Sequence, residues 1–293
     1  MPFQKLAPWE GSAASKTLHS MAARKKPFRK LRQRIRQLKS FAARFPYRPD
    51  DVVIVSYPKS GSTWLRFILA SLVGESAAAD AGGEVDFARM HVLVPEIART
   101  AVEAGIDFDT LPAPRLMRTH SAYAPAASNV VYLLRDGRDV LISYYHHFRK
   151  FDGFEGGFSD FLRSDKRRTE WADHVQGWIF DNPLAKPFCL IRYEDMLRDP
   201  FAEVKKIAQF SGLKNSDEHI RRATEQASFE NMRRVEEVKG MPYYKPKNTE
   251  MRFIRQGKSG GWKDVFTEED KAFFKQHFGA ALIKCGYESS HLW

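Results

Sequence analysis

Apolar residues recur along this chain with two different periods, and the alternation between them marks out the elements. Val52 to Tyr57 (VVIVSY) is a short β-branched run and predicts a buried strand. Trp64 to Val73, just beyond it, has apolar residues at helical spacing and predicts a helix. Arg115–Thr119 (RLMRT), Val130–Leu134 (VVYLL) and Phe188–Tyr193 (FCLIRY) are three further strand candidates. Helices are expected from about Arg138 to Lys150 and from Pro200 to Phe210. From about Ser216 the chain reads as mainly helical, around an irregular Gly- and Lys-rich stretch from Lys239 to Lys263. Strands alternating with helices predict an α/β fold: right-handed crossovers, a central parallel sheet, and helices on both of its faces.

A different pattern precedes this body. Phe28, Leu31, Ile35, Leu38 and Phe41 recur every 3 or 4 residues within the basic segment 21–45, which places them on one face of a helix. Residues 1–20 are small and polar and predict no packed structure. The expected division is a basic N-terminal extension over residues 1–46, partly disordered or helical, and one large domain over residues 47–293.

Charge sharpens that division. The formal net charge is +11, yet residues 1–49 hold 13 Lys or Arg against the single acid Glu10. The remainder carries 34 basic and 35 acidic residues, so the body is almost neutral and nucleic-acid binding is not expected of it. The basic helix fits packing on the body, weak contact with an anionic membrane surface, or organelle targeting. No run approaches the roughly 18 apolar residues of a membrane span, and the N-terminus has no apolar core of a secretory signal. The two cysteines, Cys189 and Cys285, form neither a disulfide framework nor a zinc site. No metal site is predicted, and a cytoplasmic location is the expectation.

The first strand leads into Tyr57-Pro58-Lys59-Ser60-Gly61-Ser62-Thr63-Trp64 and then a helix. In a sheet of this kind ligands bind beyond the carboxyl ends of the strands. A helix N-terminus there offers unpaired N–H groups and the positive end of a dipole. Gly61 allows close backbone approach to an anion, Ser62 and Thr63 add hydroxyls, and Lys59 adds a full charge. The plain alternative is an ordinary strand–helix turn with a Ser cap. A P-loop kinase or NTPase is the competing enzyme. Its motif places Lys directly after the last Gly, whereas Lys59 precedes Gly61 by two positions and no Gly-Lys-Ser or Gly-Lys-Thr occurs.

Three segments together resemble the cytosolic-type sulfotransferases that use 3′-phosphoadenosine 5′-phosphosulfate (PAPS). Tyr57 to Trp64 resembles the family's 5′-phosphosulfate loop. Val131 to Tyr145 (VYLLRDGRDVLISYY) resembles its 3′-phosphate motif. Ile254 to Lys263 (IRQGKSGGWK) resembles its C-terminal R-x-G-x-x-G-x-W-K motif. The resemblance runs from about Tyr47 to Tyr287. It implies a P-loop-like three-layer fold, PAPS as co-substrate, and no required metal. It also implies sulfuryl transfer to a hydroxyl or amine of a small-molecule acceptor.

By resemblance, Lys59, Ser60, Gly61, Ser62, Thr63 and Trp64 surround the 5′ side of the nucleotide. Arg135 and Ser143 hold the 3′-phosphate, with Arg255, Gln256 and Gly257 closing over it. Tyr193, from Arg-Tyr-Glu-Asp, and the pair Ser228–Phe229 lie on the adenine side, although Ala227 stands where the family has Thr. The residues themselves agree in part: a guanidinium at a strand end grips a phosphate bidentately.

Sulfuryl transfer, like phosphoryl transfer, asks the protein mainly for positioning and charge stabilisation. His120 is the candidate base. It ends a strand, its ordinary pKa suits proton abstraction near neutrality, and Arg118-Thr119-His120 resembles the family's Lys-Thr-His. Lys59 is the candidate for stabilising the leaving phosphate oxygen. His146 and His147 are rivals, read as acceptor-pocket or helix-surface residues. The acceptor side is expected to be an apolar, aromatic cleft. Its candidate walls are Phe87, Met90, Val92, Val94 and Pro95, with Tyr145, Phe148, Phe151 and Trp178, each of which also fits the core. Lys263 and Thr267 match the family's dimer signature, but Glu268 and Ala272 depart from it, leaving the oligomeric state open.

Overall fold

The computed structural model describes residues 41–76, 85–103, 105–122, 124, 126–164, 171–181, 187–242 and 246–293. The basic stripe predicted over residues 21–45 lies outside the described residues up to residue 40. Its end, α1 (Phe41–Arg44), is helical, and Phe45 beside it packs edge-on against Phe108, with ring centroids 4.9 Å apart.

Four strands form one parallel sheet in the order β2-β1-β3-β4: β1 (Val52–Ser56), β2 (Leu116–Thr119), β3 (Asn129–Leu134) and β4 (Phe188–Arg192). All four match the strand runs read from sequence. The pairing puts Ile54 beside both Arg118 and Val131, and Val131 beside Cys189. Alternation then sorts the side chains. Val53, Val55, Val130 and Tyr132 face one core; Val52, Ile54, Val131 and Leu133 face the other. Both faces of β1 are buried, which is why it reads as an unbroken apolar run.

Helices cover each face and complete three layers. On the Val53 side lie α5 (Gly137–Phe151), α6 (Phe158–Arg163), α7 (Trp171–Val175, continuing as a π turn to Phe180) and α12 (Glu268–Lys284). On the Ile54 side lie α2 (Ser62–Ser76), α3 (Phe87–Leu93), α8 (Tyr193–Arg198), α9 (Pro200–Ser211), α10 (Asp217–Gln226) and α11 (Phe229–Lys239). The remaining helix, α4 (Arg99–Glu103), leads towards β2.

Local chemistry sets the helix ends. Asp199 caps α9 by accepting from Ala202 N–H, Pro200 starts it, and Gly212 ends it with φ +70°, the left-handed conformation that glycine adopts without penalty. Asp136 caps α5 through Arg138 N–H. The structure corrects one expectation here. Phe87 and Met90, offered as acceptor walls, are buried on α3 against α2, with Phe87 and Phe67 centroids 5.6 Å apart.

Candidate active site

Chain topology brings the site together. From β1 the connection leads to one edge of the sheet, at β2; from β3 it leads to the other, at β4. The crevice at such a reversal, beyond the carboxyl ends of the strands, is where open α/β sheets bind ligands. Every strand ends there on a predicted residue. β1 feeds the Lys59–Gly61 loop, β2 leads to His120, β3 to Arg135 and β4 to Tyr193. A cavity of about 390 Å³ lies over these ends, within the size of ordinary ligand pockets, roughly 300–1,000 Å³. Of the residues expected to hold the nucleotide or take part in catalysis, all but Ser60 and Ser228 line it, and of the expected acceptor walls Phe148 does. Ser60, within the loop, is buried. Ser228 caps α11, its hydroxyl accepting from Asn231 N–H at 3.3 Å.

The loop has an unusual backbone. Lys59 has φ +71° and Gly61 φ +99°, a region that costs a side-chain-bearing residue about 1–3 kcal/mol. Arg135 secures the turn by donating to Lys59 O at 3.2 Å, and it donates to Lys258 O at 2.9 Å. Its guanidinium also stacks over the Tyr193 ring at 4.1 Å. A Cβ on Gly61 would sit 2.5 Å from Tyr193 Cδ2. We expect Gly61→Ala to lower unfolding free energy by about 1–3 kcal/mol, because ring and loop cannot both stay in place. Chemical unfolding with the wild-type midpoint would contradict this.

Lys59 is held among cations. Its pKa is lowered to about 7, first by burial and then by Arg135, Arg118, Arg255 and Lys150. Its ammonium lies 4.3 Å from the centroid of the Phe253 ring. Among the described residues, Lys59, Arg135 and Arg255 have no carboxylate partner in an ion pair. The Nε–H groups of Arg118 and Arg135 and the Ser60 hydroxyl are buried with no hydrogen-bond partner there. Buried polar groups are ordinarily paired. Unmet donors and unpaired cations at one crevice therefore fit a polyanion such as a nucleoside bisphosphate.

His120 is set up differently. Its Nδ1 lies 2.7 Å from Ser56 O and 3.3 Å from Ser56 Oγ. A carbonyl only accepts, so Nδ1 carries the proton and Nε2 keeps its lone pair. Burial, followed by the charge of Arg118, holds the His120 pKa well below the ordinary imidazole value. The ring is therefore neutral, with a free base nitrogen, at neutral pH. The rival His146 lies beside Ser143 and Arg255 in a small adjoining cavity of about 20 Å³, its pKa pushed down to about 4 by burial and Arg255. His147 lines both cavities.

Two carboxylates that the sequence reading did not single out hold the segment closing the cavity. Glu236 accepts from Phe253 N–H at 2.6 Å and Ile254 N–H at 2.8 Å. Asp139 accepts from Gly260 N–H at 2.6 Å and Trp262 N–H at 3.0 Å. Arg255, Gln256 and Gly257 are suspended between them, and a Cβ on Gly257 would lie 2.8 Å from the Phe229 ring. The signal for Asp139 was its place one helical turn after Asp136 in RDGRD. Trp64 donates to Ala227 O at 2.9 Å and meets Tyr193 edge-on at 5.9 Å while lining the cavity.

The family model described as the sulfotransferase domain matches residues 49–286. This chain belongs to the sulfotransferase family. Bovine sulfotransferase 1A1 is 30% identical over 254 residues, covering 81% of this chain and 85% of the relative. Rat sulfotransferase 1C2 is 28% identical over 261 residues, covering 82% and 86%. Among solved structures, retinol dehydratase in complex with androsterone and the inactive cofactor PAP superposes with TM-score 0.63 at 23% identity, covering 82% of this chain and 83% of that one. Mouse sulfotransferase SULT7A1 complexed with PAP gives TM-score 0.61 at 22% identity, covering 82% and 87%. At such identities these structures bear on the fold, which they share. The family's reaction, sulfuryl transfer from PAPS, is the activity of this sulfotransferase. Among the described residues no helix is long and apolar enough to cross a membrane.

Proposed function

We propose that this sulfotransferase passes the sulfuryl group of PAPS to a hydroxyl of a small-molecule acceptor, with His120 as general base and Lys59 as leaving-group partner. The observation that carries the reading is the set of unpaired cations, Lys59, Arg135 and Arg255, around a crevice into which all four strands deliver a residue. Arg135, Ser143 and Arg255 hold the 3′-phosphate. The Gly61–Thr63 turn and the N-terminus of α2 hold the 5′ side, and Tyr193 and Phe229 flank the adenine. The His120 Nε2 lone pair takes the acceptor proton as the acceptor oxygen bonds to sulfur. The bond from sulfur to the phosphate oxygen breaks, and Lys59 Nζ meets the charge left on that oxygen. The protein's own cations supply this neutralisation, so turnover is expected to persist in EDTA.

Calorimetry with PAP, the desulfated nucleotide, tests the reading. One-to-one binding is expected in EDTA, with no comparable heat from ATP and Mg²⁺, the ligands of a P-loop kinase; a folded protein silent to PAP would overturn it. The same titration reports Lys59. Its pKa is about 7 in the free protein, and a bound polyanion raises it. Binding should therefore take up a proton above pH 7. Between pH 7.5 and 9 the phosphates are already ionised, their second pKa being about 6. Affinity should then fall as pH rises, by up to about tenfold per unit, and the binding heat should differ between Tris and HEPES buffers at the same pH. A pH-independent affinity would mean that Lys59 does not change its protonation on binding.

A further inference from the structure

Several of the apolar acceptor walls read from the sequence do not reach the cavity. Phe87, Met90 and Val94 are buried in the core under the sheet, and Trp178 is buried with its indole N–H donating to Ser121 O. Of the aromatic walls offered, Phe148 lines the main cavity. The wall that carries His120 and Tyr144 also carries Arg118, whose charge acts on His120, and Glu96.

This pair is built into the sheet edge. Arg118 and His120 are two residues apart at the end of β2, so alternation sends both side chains to the same face. Pro95 to Ile97 adds a rung along β2: Arg118 N–H donates to Pro95 O at 2.8 Å, and Ile97 N–H donates to Arg118 O at 2.7 Å. That rung sets Glu96 beside Arg118, whose Nη2 donates to Glu96 Oε2 at 2.6 Å. The guanidinium side chain is only 6% exposed, whereas the carboxylate side chain is 35% exposed. The accessible half of the pair is therefore the carboxylate. A wholly apolar acceptor lying over it would strip water from a charged acceptor group and return nothing, which is unfavourable. An acceptor with a suitably placed donor replaces that water with a charge-assisted hydrogen bond.

Resting on the sulfotransferase reading above, we propose that Glu96 is a specificity-determining residue of the acceptor site. The substrate class it selects is a hydroxyl compound with a second hydrogen-bond donor, hydroxyl or ammonium, close to the attacked oxygen. A vicinal diol, a catechol or an amino alcohol meets this description; a monohydric phenol or alcohol does not.

The test uses the full chain with saturating PAPS and matched acceptors: catechol against phenol, and cyclohexane-1,2-diol against cyclohexanol. Sulfated product is read by mass, and kcat/KM is taken for each. Wild type should favour the member with two donors by about 10-fold or more, the scale of one hydrogen bond to a charged group. Glu96→Gln keeps the shape but not the charge, and should reduce that ratio to within about threefold of unity. PAP calorimetry on both proteins confirms an intact nucleotide site. A wild-type ratio near one, a ratio unchanged in Glu96→Gln, or no transfer to any of the four acceptors while PAP still binds would each overturn the proposal and leave the nucleotide reading standing. Failure of wild type to bind PAP would instead overturn the function reading, and this proposal with it.

Discussion

Replacing His120 with Ala should lower turnover about 10²–10⁴-fold, the usual contribution of a positioned general base, with PAP affinity nearly unchanged. The affinity half of this expectation follows from geometry. His120 follows β2 and is tied to Ser56 through Nδ1, whereas the cations proposed to bind the nucleotide follow β1 (Lys59), follow β3 (Arg135) or lie on the C-terminal segment (Arg255). The turnover half follows from the tautomer. With its proton committed to a carbonyl, the ring presents Nε2 as an acceptor and has no other means of holding a hydroxyl in that orientation. The lowered pKa adds a sign. Protonation would remove the base, and it occurs only well below pH 6.5. The wild-type kcat/KM profile should therefore show no acid limb near 6.5. Near-native turnover in His120→Ala would remove the residue from the chemistry. Loss of PAP binding together with an altered far-UV spectrum would make His120 a structural residue.

What the sequence made legible was the part governed by local rules. The four strand runs are short and largely apolar, β1 and β3 being β-branched and buried, and each is found within a residue or two of its predicted ends. Because the sheet is parallel, their carboxyl ends fall on one side, and that alone gathers Lys59, His120, Arg135 and Tyr193. The acceptor wall was not legible in this way. Phe87 and Met90 are three residues apart, a spacing that marks one face of a helix without saying whether it meets a cavity or a core. Here that face meets Phe67 and its neighbours on α2. Glu96 carried no signal at all: an acid among apolar residues gains meaning only when Pro95–Ile97 pairs with β2. The same holds for Glu236, 17 residues from the Phe253 N–H it receives. Ser228 was read through the family alone, and its hydroxyl is engaged by its own helix.

Lys59 admits a sharper experiment than alanine replacement alone. Lys59→Ala should lower turnover about 10²–10³-fold, as when one preorganised donor is lost. Alanine, however, inherits the left-handed φ of +71°, so a poorly formed loop could produce the same loss. Lys59→Gly separates the two causes. Glycine adopts that conformation without a Cβ clash, so it relieves strain of about 1–3 kcal/mol. It also removes an ammonium that burial and four neighbouring cations disfavour. The glycine variant should therefore unfold at a denaturant concentration no lower than wild type, while its turnover at saturating PAPS falls as far as that of the alanine variant. Stability held and activity lost is the signature of a strained, charged residue retained for chemistry rather than for folding. If Lys59→Gly turned over at the wild-type rate, the ammonium would have no part in the departure of the phosphate oxygen. If it were markedly less stable than wild type, the cation cluster would be supporting the loop, opposite to the sign derived from its burial.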